Sequence, residues 1–172
     1  MKTLILFSSA NKQGNTAKTI EYVQADHNVE VVDIDSLAIT PYCYENDYPS
    51  DDFYPLVDKM LASDNLVFAS PIYWYSVTAP MKALVDRMTE LLDVTELKPK
   101  ARALESKRGF VITSSGKSKI CPTFHGFFTG LFRYFNIEYT ATLHAACHNG
   151  HTINQGELLL FNKALNLNKQ KA

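Results

Sequence analysis

The sequence predicts an α/β fold: a three-layer, doubly wound parallel sheet of five strands in the order 2-1-3-4-5. Two observations predict it. Short apolar runs alternate with segments of helical period along the chain, and strict alternation of strands and helices in one domain requires a parallel sheet with helices on both faces. The 172 residues also show no internal repeat, low-complexity tract or linker, so we expect residues 1–172 to form a single domain.

The first half of the chain supplies three strands and the helices between them. The run TLILF (3–7) predicts a strand, and the polar residues after it lead into a helix over residues 15–25. VEVVDI (29–34) predicts the second strand. FYPLVDKML (53–61) places its apolar residues in one stripe at helical spacing, and NLVFAS (65–70) is apolar enough for a strand buried on both faces.

The second half continues the alternation. An apolar stripe over residues 81–92 predicts a helix, with Thr78 as its cap and Pro80 in its first turn. Strand counting alone leaves a six-stranded dinucleotide-binding fold as an alternative. The remaining elements are, in order, a strand at 109–114, a phenylalanine-rich helix at 124–135, a strand at 137–145 and a closing helix at 155–167.

Segment 36–52 is the longest interruption of this alternation. It contains Pro41 and Pro49 and several tyrosines. In one interpretation its aromatic residues cover a binding site or an interface, and in the other it is a plain surface loop.

Composition and charge exclude several classes of function. The chain is 46% hydrophobic and 20% charged, with a formal net charge of −1, so neither nucleic acid nor a membrane is an expected partner. The apolar start of the N-terminus is too short for a secretory core or a membrane span. Cys43, Cys121 and Cys147 form no CxxC pair, which argues against a disulfide framework and favours a reduced, cytoplasmic setting.

The loop after the first strand is a candidate anion site. Ligands of open α/β sheets bind beyond the carboxyl ends of the strands where the strand order reverses, which singles out the loops after strands one, three and four. In SSANKQGNT (8–16), Gly14 allows a tight turn before a helix N-terminus. The candidate phosphate donors are Ser8, Ser9, Asn15 and Thr16. The P-loop lysine and the GxGxxG fingerprint are absent, and a polar turn with a helix cap is the alternative interpretation.

The loops after the third and fourth strands face the same edge of the sheet. PIYWYS (71–76) holds three aromatic rings behind a stiffening proline. These rings either grip a planar heterocycle or pack under a helix or into a subunit contact. TSSGKSK (113–119) lets the chain approach a ligand closely and offers backbone N–H groups. Three such loops at the correct strand ends predict a flavin mononucleotide (FMN) site.

The motifs SSANKQGNT, SPIYWYSVTAPMKALVDR and TSSG resemble those of the flavodoxin-like NAD(P)H-dependent FMN reductases, and the resemblance extends over essentially the whole chain. It implies bound FMN, NADPH or NADH as hydride donor, and a small electron acceptor: a quinone, azo dye, nitroaromatic, free flavin or metal ion. It further implies a homodimer or homotetramer with the site open at the subunit boundary. The implied FMN contacts are Ser8, Ser9, Asn15, Thr16, Pro71, Ile72, Tyr73, Trp74, Ser114, Ser115 and Gly116. The third loop lacks the second glycine of many relatives, so its contacts are the least defined.

No conventional catalytic residue is predicted. Hydride transfer needs no side-chain acid or base, because the cofactor carries the redox chemistry. Lys82 and Asp86 are spaced i, i+4, which favours a simple ion pair, and the resemblance assigns structural work to them and to Arg87.

The segment HAACHNGH (144–151) carries groups that can bind metals. The spacing of His144, Cys147, His148 and His151 matches no familiar zinc pattern, and a strand that ends in a loop explains them, so no metal is predicted. A place for His148 or His151 near the flavin edge is the alternative.

A flavodoxin-like electron carrier without NAD(P)H oxidation is the alternative to a reductase. Such carriers are usually strongly acidic because they dock on basic partners, whereas this chain has a net charge of −1. The GNT ending of the first loop also favours the reductase. An interaction domain that binds no FMN is a third alternative.

Overall fold

The structure, a computed structural model, describes residues 1–167 and contains one six-stranded sheet in the order β2-β1-β3-β4-β5-β6. The strands are β1 (Thr3–Phe7), β2 (Glu30–Asp33), β3 (Asn65–Ala69), β4 (Arg108–Ser115), β5 (Glu138–Ala146) and β6 (Thr152–Ile153). The first five are parallel, whereas β6 pairs antiparallel with β5. The predicted fold class and strand order are therefore confirmed, with one additional edge strand.

Helices cover both faces of the sheet. They are α1 (Asn15–Asp26), α2 (Phe53–Leu61), α3 (Ala79–Arg87), α4 (Glu90–Asp93), α5 (Lys98–Ala103), α6 (Pro122–Tyr134) and α7 (Gln155–Asn166), with 3₁₀ turns at Ile34–Ser36, Thr95–Leu97 and Leu104–Ser106. None of these helices is long and apolar enough to cross a membrane.

The prediction of one continuous helix over residues 81–92 was wrong. Thr78 caps α3 as predicted, and its hydroxyl accepts a hydrogen bond from the N–H of Met81. The helix then ends at Arg87, and the N–H of Thr89 reaches back only three residues, to the carbonyl of Asp86. The apolar stripe continues through this break into α4, which is why periodicity alone did not reveal it.

The sheet has a separate hydrophobic core on each face. One core packs α2, α3 and α6 against the sheet, and the other packs α1 and α7 against it. Every residue of β1 and of β3 is buried, as expected for strands covered on both sides. On β4, a Cβ at Gly109 would lie 2.8 Å from the ring of Phe132, so glycine is what lets α6 pack this closely.

Segment 36–52 is fixed to α3 through a buried arginine. The guanidinium of Arg87 is fully buried and lies 3.1 Å from the centre of the Tyr48 ring. It pairs with Glu90, and one of its nitrogens lies 3.8 Å from a carboxylate oxygen of Asp51. Segment 36–52 is therefore a packed strap rather than a loose surface loop.

Candidate functional site

The loops after β1, β3 and β4 enclose a cavity of about 290 Å³ at the carboxyl edge of the sheet. It is lined by Ser9, Asn11, Gly14, Asn15, Thr16, Pro71, Ile72, Tyr73, Ser114, Ser115, Gly116 and Cys147. All predicted contact residues except Ser8 and Trp74 belong to this lining. Asn11, Gly14 and Cys147 line the cavity but were not predicted as contacts, although Gly14 was predicted to form the turn.

The first loop presents an open helix end to the cavity. Asn11 shapes the turn, because its carbonyl accepts from the N–H of Gly14 at 3.1 Å and its side-chain oxygen accepts from Gln13 at 3.0 Å. Gly14 occupies the N-cap position of α1 without a side-chain cap, and the first helical bond runs from Lys18 to its carbonyl. The N–H groups of residues 15–17, in the first turn of α1, consequently lack a helical acceptor and suit an anion.

Ser8 supports the loop from behind. Its side chain is fully buried, and its hydroxyl contacts the hydroxyl of Thr78 and donates to a carboxylate oxygen of Asp35. The other carboxylate oxygen of Asp35 accepts from the N–H of Ser9 at 3.0 Å. The hydroxyl of Ser8 thus holds the first loop to the N-cap of α3 and to the 3₁₀ turn after β2, and Ser8 does not line the cavity.

Asp35 is a site residue that the sequence reasoning missed. It also accepts from the ammonium of Lys12 at 2.6 Å, and Lys12 bonds Asp33 as well. Burial alone would lower the pKa of Lys12, but these two carboxylates raise it above its ordinary value. In the sequence, the pair Asp33 and Asp35 after the apolar residues of β2 was the signal for this contact with Lys12.

The second loop ends in a tight turn that displays its aromatic rings. The N–H of Tyr73 bonds the carbonyl of Ser76 at 2.9 Å, and the N–H of Ser76 bonds the carbonyl of Tyr73 at 3.0 Å. Trp74 and Tyr75 between them have φ values of 47° and 68°, the pattern of a type I′ turn. Two bulky residues at positive φ cost about 1–2 kcal/mol each.

The three rings of this turn do not pack under a helix. The side chains of Tyr73, Trp74 and Tyr75 are 43%, 93% and 63% exposed. Strain spent on exposed aromatic residues is a feature of binding sites rather than of stable cores. A planar ligand or a subunit contact therefore remains as the explanation of these rings.

The end of β4 joins the three loops to one another. The hydroxyl of Ser114 bonds that of Thr16 at 2.8 Å, and its carbonyl accepts from the N–H of Ile72 at 2.9 Å. The carbonyl of Ser115 accepts from the N–H of Cys147 at 2.8 Å. Loops that are far apart in the sequence are thus held in register around the cavity.

The C-terminal histidines occupy separate positions. His144 is half-buried and bonds the hydroxyl of Ser115, and His151 bonds the hydroxyl of Thr19 on α1. Burial lowers the pKa of each of these imidazoles. His148 is exposed. Within residues 1–167 no group of three or more His, Cys, Asp or Glu side chains could hold a metal ion.

The charged residues of α3 lie outside the cavity. Lys82 and Asp86 form the expected ion pair, with nitrogen and oxygen 2.6 Å apart. Arg87 is buried against segment 36–52, as described above. These positions agree with the structural role expected for all three residues.

Residues 1–121 match the family model described as NADPH-dependent FMN reductase. This matched stretch contains all three loops of the cavity. A Bacillus subtilis protein, YwqN, named as an NAD(P)H-dependent FMN-containing oxidoreductase, is 27% identical over 66 residues, which is 38% of this chain and 36% of that protein. The aligned part thus spans about a third of the relative.

Two solved structures share the whole architecture. The Trp repressor binding protein from Bacillus subtilis superposes with a TM-score of 0.72 at 16% identity, covering 98% of this chain and 99% of that chain. An FMN-dependent NADH-azoreductase from Bacillus anthracis, solved in complex with FMN, gives a TM-score of 0.63 at 11% identity, covering 95% and 96%. At these identities the likeness establishes the fold.

Proposed function

The chain belongs to the NADPH-dependent FMN reductase family, and from this premise we propose that it is an NAD(P)H-dependent FMN oxidoreductase. One observation carries the proposal. A single cavity at the carboxyl edge of the sheet combines an uncapped helix N-terminus with a rigid aromatic turn and a Ser/Gly loop. These are the parts that a phosphate-bearing planar cofactor requires.

The first loop binds the phosphate of FMN in this proposal. The open N–H groups of α1 and the side chains of Asn15 and Thr16 offer donors, and the residues that line the cavity include no lysine or arginine. The hydroxyl of Ser9 already donates to the carbonyl of Asn11 at 3.0 Å. Lys12 is engaged with Asp33 and Asp35. Hydrogen bonds and the helix dipole, rather than a full positive charge, therefore hold the phosphate.

The second and third loops hold the isoalloxazine. Pro71 and Ile72 form one wall, and the exposed ring of Tyr73 lies at the mouth of the cavity. The N–H groups of Ile72 and Tyr73 are already bonded, to Ser114 and Ser76. The N–H of Gly116, a residue that lines the cavity, is therefore the backbone donor to the ring edge in this proposal.

When bound, FMN supplies the redox chemistry, accepting a hydride from NADPH or NADH and passing electrons to the acceptor. The residues of the chain bind and orient it and keep the cavity rigid. No side-chain acid or base is assigned. The acceptor is a quinone, azo compound, nitroaromatic, free flavin or metal ion.

We further propose that the protein forms a homodimer or homotetramer and that it is cytoplasmic. The exposed rings of Trp74 and Tyr75 support a subunit contact near the cavity mouth. Sedimentation of the FMN-loaded protein tests this, and a monomer at micromolar concentration would contradict it.

Steady-state assays test the function. Purified protein reconstituted with FMN is given NADPH or NADH and each class of acceptor, and nicotinamide oxidation is followed at 340 nm. FMN-dependent oxidation with at least one acceptor supports the reductase. An FMN-loaded protein that leaves both nicotinamides unoxidised with every acceptor would contradict it and favour the carrier.

A further inference from the structure

The hydroxyl of Ser115 links the cavity to a histidine outside it. Ser115 lines the cavity, whereas His144 lies in a neighbouring depression with Lys119 and Glu157. The Nε2 atom of His144 is 2.9 Å from the Oγ of Ser115. The Oγ is also 3.3 Å from both the carbonyl oxygen and the N–H nitrogen of Lys117.

A hydroxyl has one hydrogen, so these contacts cannot all use it. The N–H of Lys117 donates to Oγ. The two acceptors that compete for the hydroxyl hydrogen are Nε2 at 2.9 Å and the Lys117 carbonyl at 3.3 Å. The contact to Nε2 is the shorter of the two, and if Ser115 donates to it, the ring proton of neutral His144 lies on Nδ1.

Protonation of His144 must reverse this hydrogen bond. Protonated Nε2 becomes a donor, and Oγ of Ser115 becomes its acceptor. The hydroxyl hydrogen is then released toward the Lys117 carbonyl or into the cavity that Ser115 lines.

We propose that His144 is a positioning residue that sets the direction of the Ser115 hydroxyl, and that its protonation turns this hydroxyl into a donor toward the bound ligand. The proposal rests on the proposed function in taking that ligand to be FMN. FMN is rich in acceptor atoms, so it binds more tightly when His144 is protonated.

The charged surroundings of His144 come from two further elements. Glu157 on α7 favours the protonated ring, while burial disfavours it and lowers the pKa of His144 below its ordinary value. Lys119, in the loop before α6, lines the same depression. Burial therefore favours the neutral ring, and the ring becomes charged only below the ordinary titration range of a histidine.

The first test needs no FMN. Ring ¹⁵N signals of His144 are followed by NMR from pH 8 to pH 4.5 in the wild type and in Ser115→Ala. We expect the Nδ1–H tautomer in the neutral wild type and a lower His144 pKa in the variant, because the charge-assisted hydrogen bond from the protonated ring to Oγ is stronger than the neutral bond it replaces, and both are lost. An Nε2–H tautomer, or an unchanged titration in Ser115→Ala, overturns the proposal.

The second test measures the Kd of FMN at pH 8 and pH 5. The wild type is compared with His144→Gln, Ser115→Ala and the double variant, with His148→Gln as a matched control on an exposed histidine. Comparison between variants at each pH removes the titration of the FMN phosphate itself. At each pH we take the ratio of the Kd of His144→Gln to the Kd of the wild type. We expect this ratio to be about two- to tenfold larger at pH 5 than at pH 8.

This gain in FMN affinity at pH 5 should be absent when the double variant is compared with Ser115→Ala. The control His148→Gln should show the same gain as the wild type. An equal pH dependence in the wild type and His144→Gln overturns the proposal, as does a gain that survives in Ser115→Ala. Failure of every form to bind FMN refutes the proposed function instead, and the NMR titration still decides the hydrogen-bond reversal.

Discussion

The turn at Trp74 and Tyr75 stores strain that a substitution should release. Both residues have positive φ, at a cost of about 1–2 kcal/mol each. Asn-Gly is the preferred dipeptide of a type I′ turn, so Trp74→Asn with Tyr75→Gly should remove about 2–4 kcal/mol of strain. The extra freedom of glycine in the unfolded chain offsets about 1 kcal/mol of this.

We therefore expect the double variant to be more stable than the wild type by about 1–3 kcal/mol. Little packing is lost, because the Trp74 side chain is 93% exposed. For a chain of this length the gain corresponds to a rise in Tm of about 2–12 °C. Urea unfolding of the FMN-free protein measures it, with Asn136→Gly as control, since Asn136 already has positive φ in a turn away from the site.

The same substitution should weaken FMN binding or slow acceptor turnover, since it removes both rings. The fluorescence of Trp74 should be quenched when FMN binds to the wild type, and the signal has one origin because the chain has a single tryptophan.

Trp74→Ala alone should change the free energy of unfolding of the FMN-free protein by less than about 0.5 kcal/mol. A loss of about 3–5 kcal/mol, typical of a core tryptophan, together with normal FMN affinity would show that Trp74 packs in the core and does not contact FMN.

Three further predictions follow from other contacts. Asn15→Ala with Thr16→Ala should weaken FMN binding by about 1.5–3 kcal/mol per lost hydrogen bond, and an unchanged Kd would move the phosphate elsewhere. Arg87→Met should lower the free energy of unfolding by about 3–5 kcal/mol, because it leaves Glu90 buried and unpaired; denaturant titration checks this. The lowered pKa of His151 means that the folded state holds its neutral form, so stability should fall as the pH drops below about 6.5, and His151→Gln should reduce that fall in Tm.

Much of the fold could be predicted because hydrophobic period and helix caps are local signals. The limits of β1 and α2 and the cap at Thr78 agree with the sequence prediction. The two-residue strand β6 was missed because Thr152–Ile153 is too short to show an alternating pattern. Helix α5 was missed because Ala101 is its only buried residue, so it has no apolar stripe.

The cavity could be placed from topology, but not the contacts behind it. The loops that follow the strands of a parallel sheet lie at its carboxyl edge, and β1, β3 and β4 are neighbours in the sheet, which brings Thr16 and Ser114 together. The roles of Ser8 and Asp35 depend on which way each side chain points from its loop, and sequence spacing does not specify that direction. Cys147 is held beside the cavity by the hydrogen bond from its N–H to the carbonyl of Ser115. The assignment of the lining residues to FMN stays a prediction.

Anaerobic reduction of the FMN-loaded protein tests the central claim most directly. The flavin absorbance near 450 nm is recorded before and after one equivalent of NADPH or NADH is added without oxygen or acceptor. In a reductase the band bleaches with at least one nicotinamide and returns when an acceptor or oxygen is admitted. A protein that binds FMN in this cavity yet keeps its yellow band with both nicotinamides, while dithionite bleaches it, is not an NAD(P)H-dependent reductase.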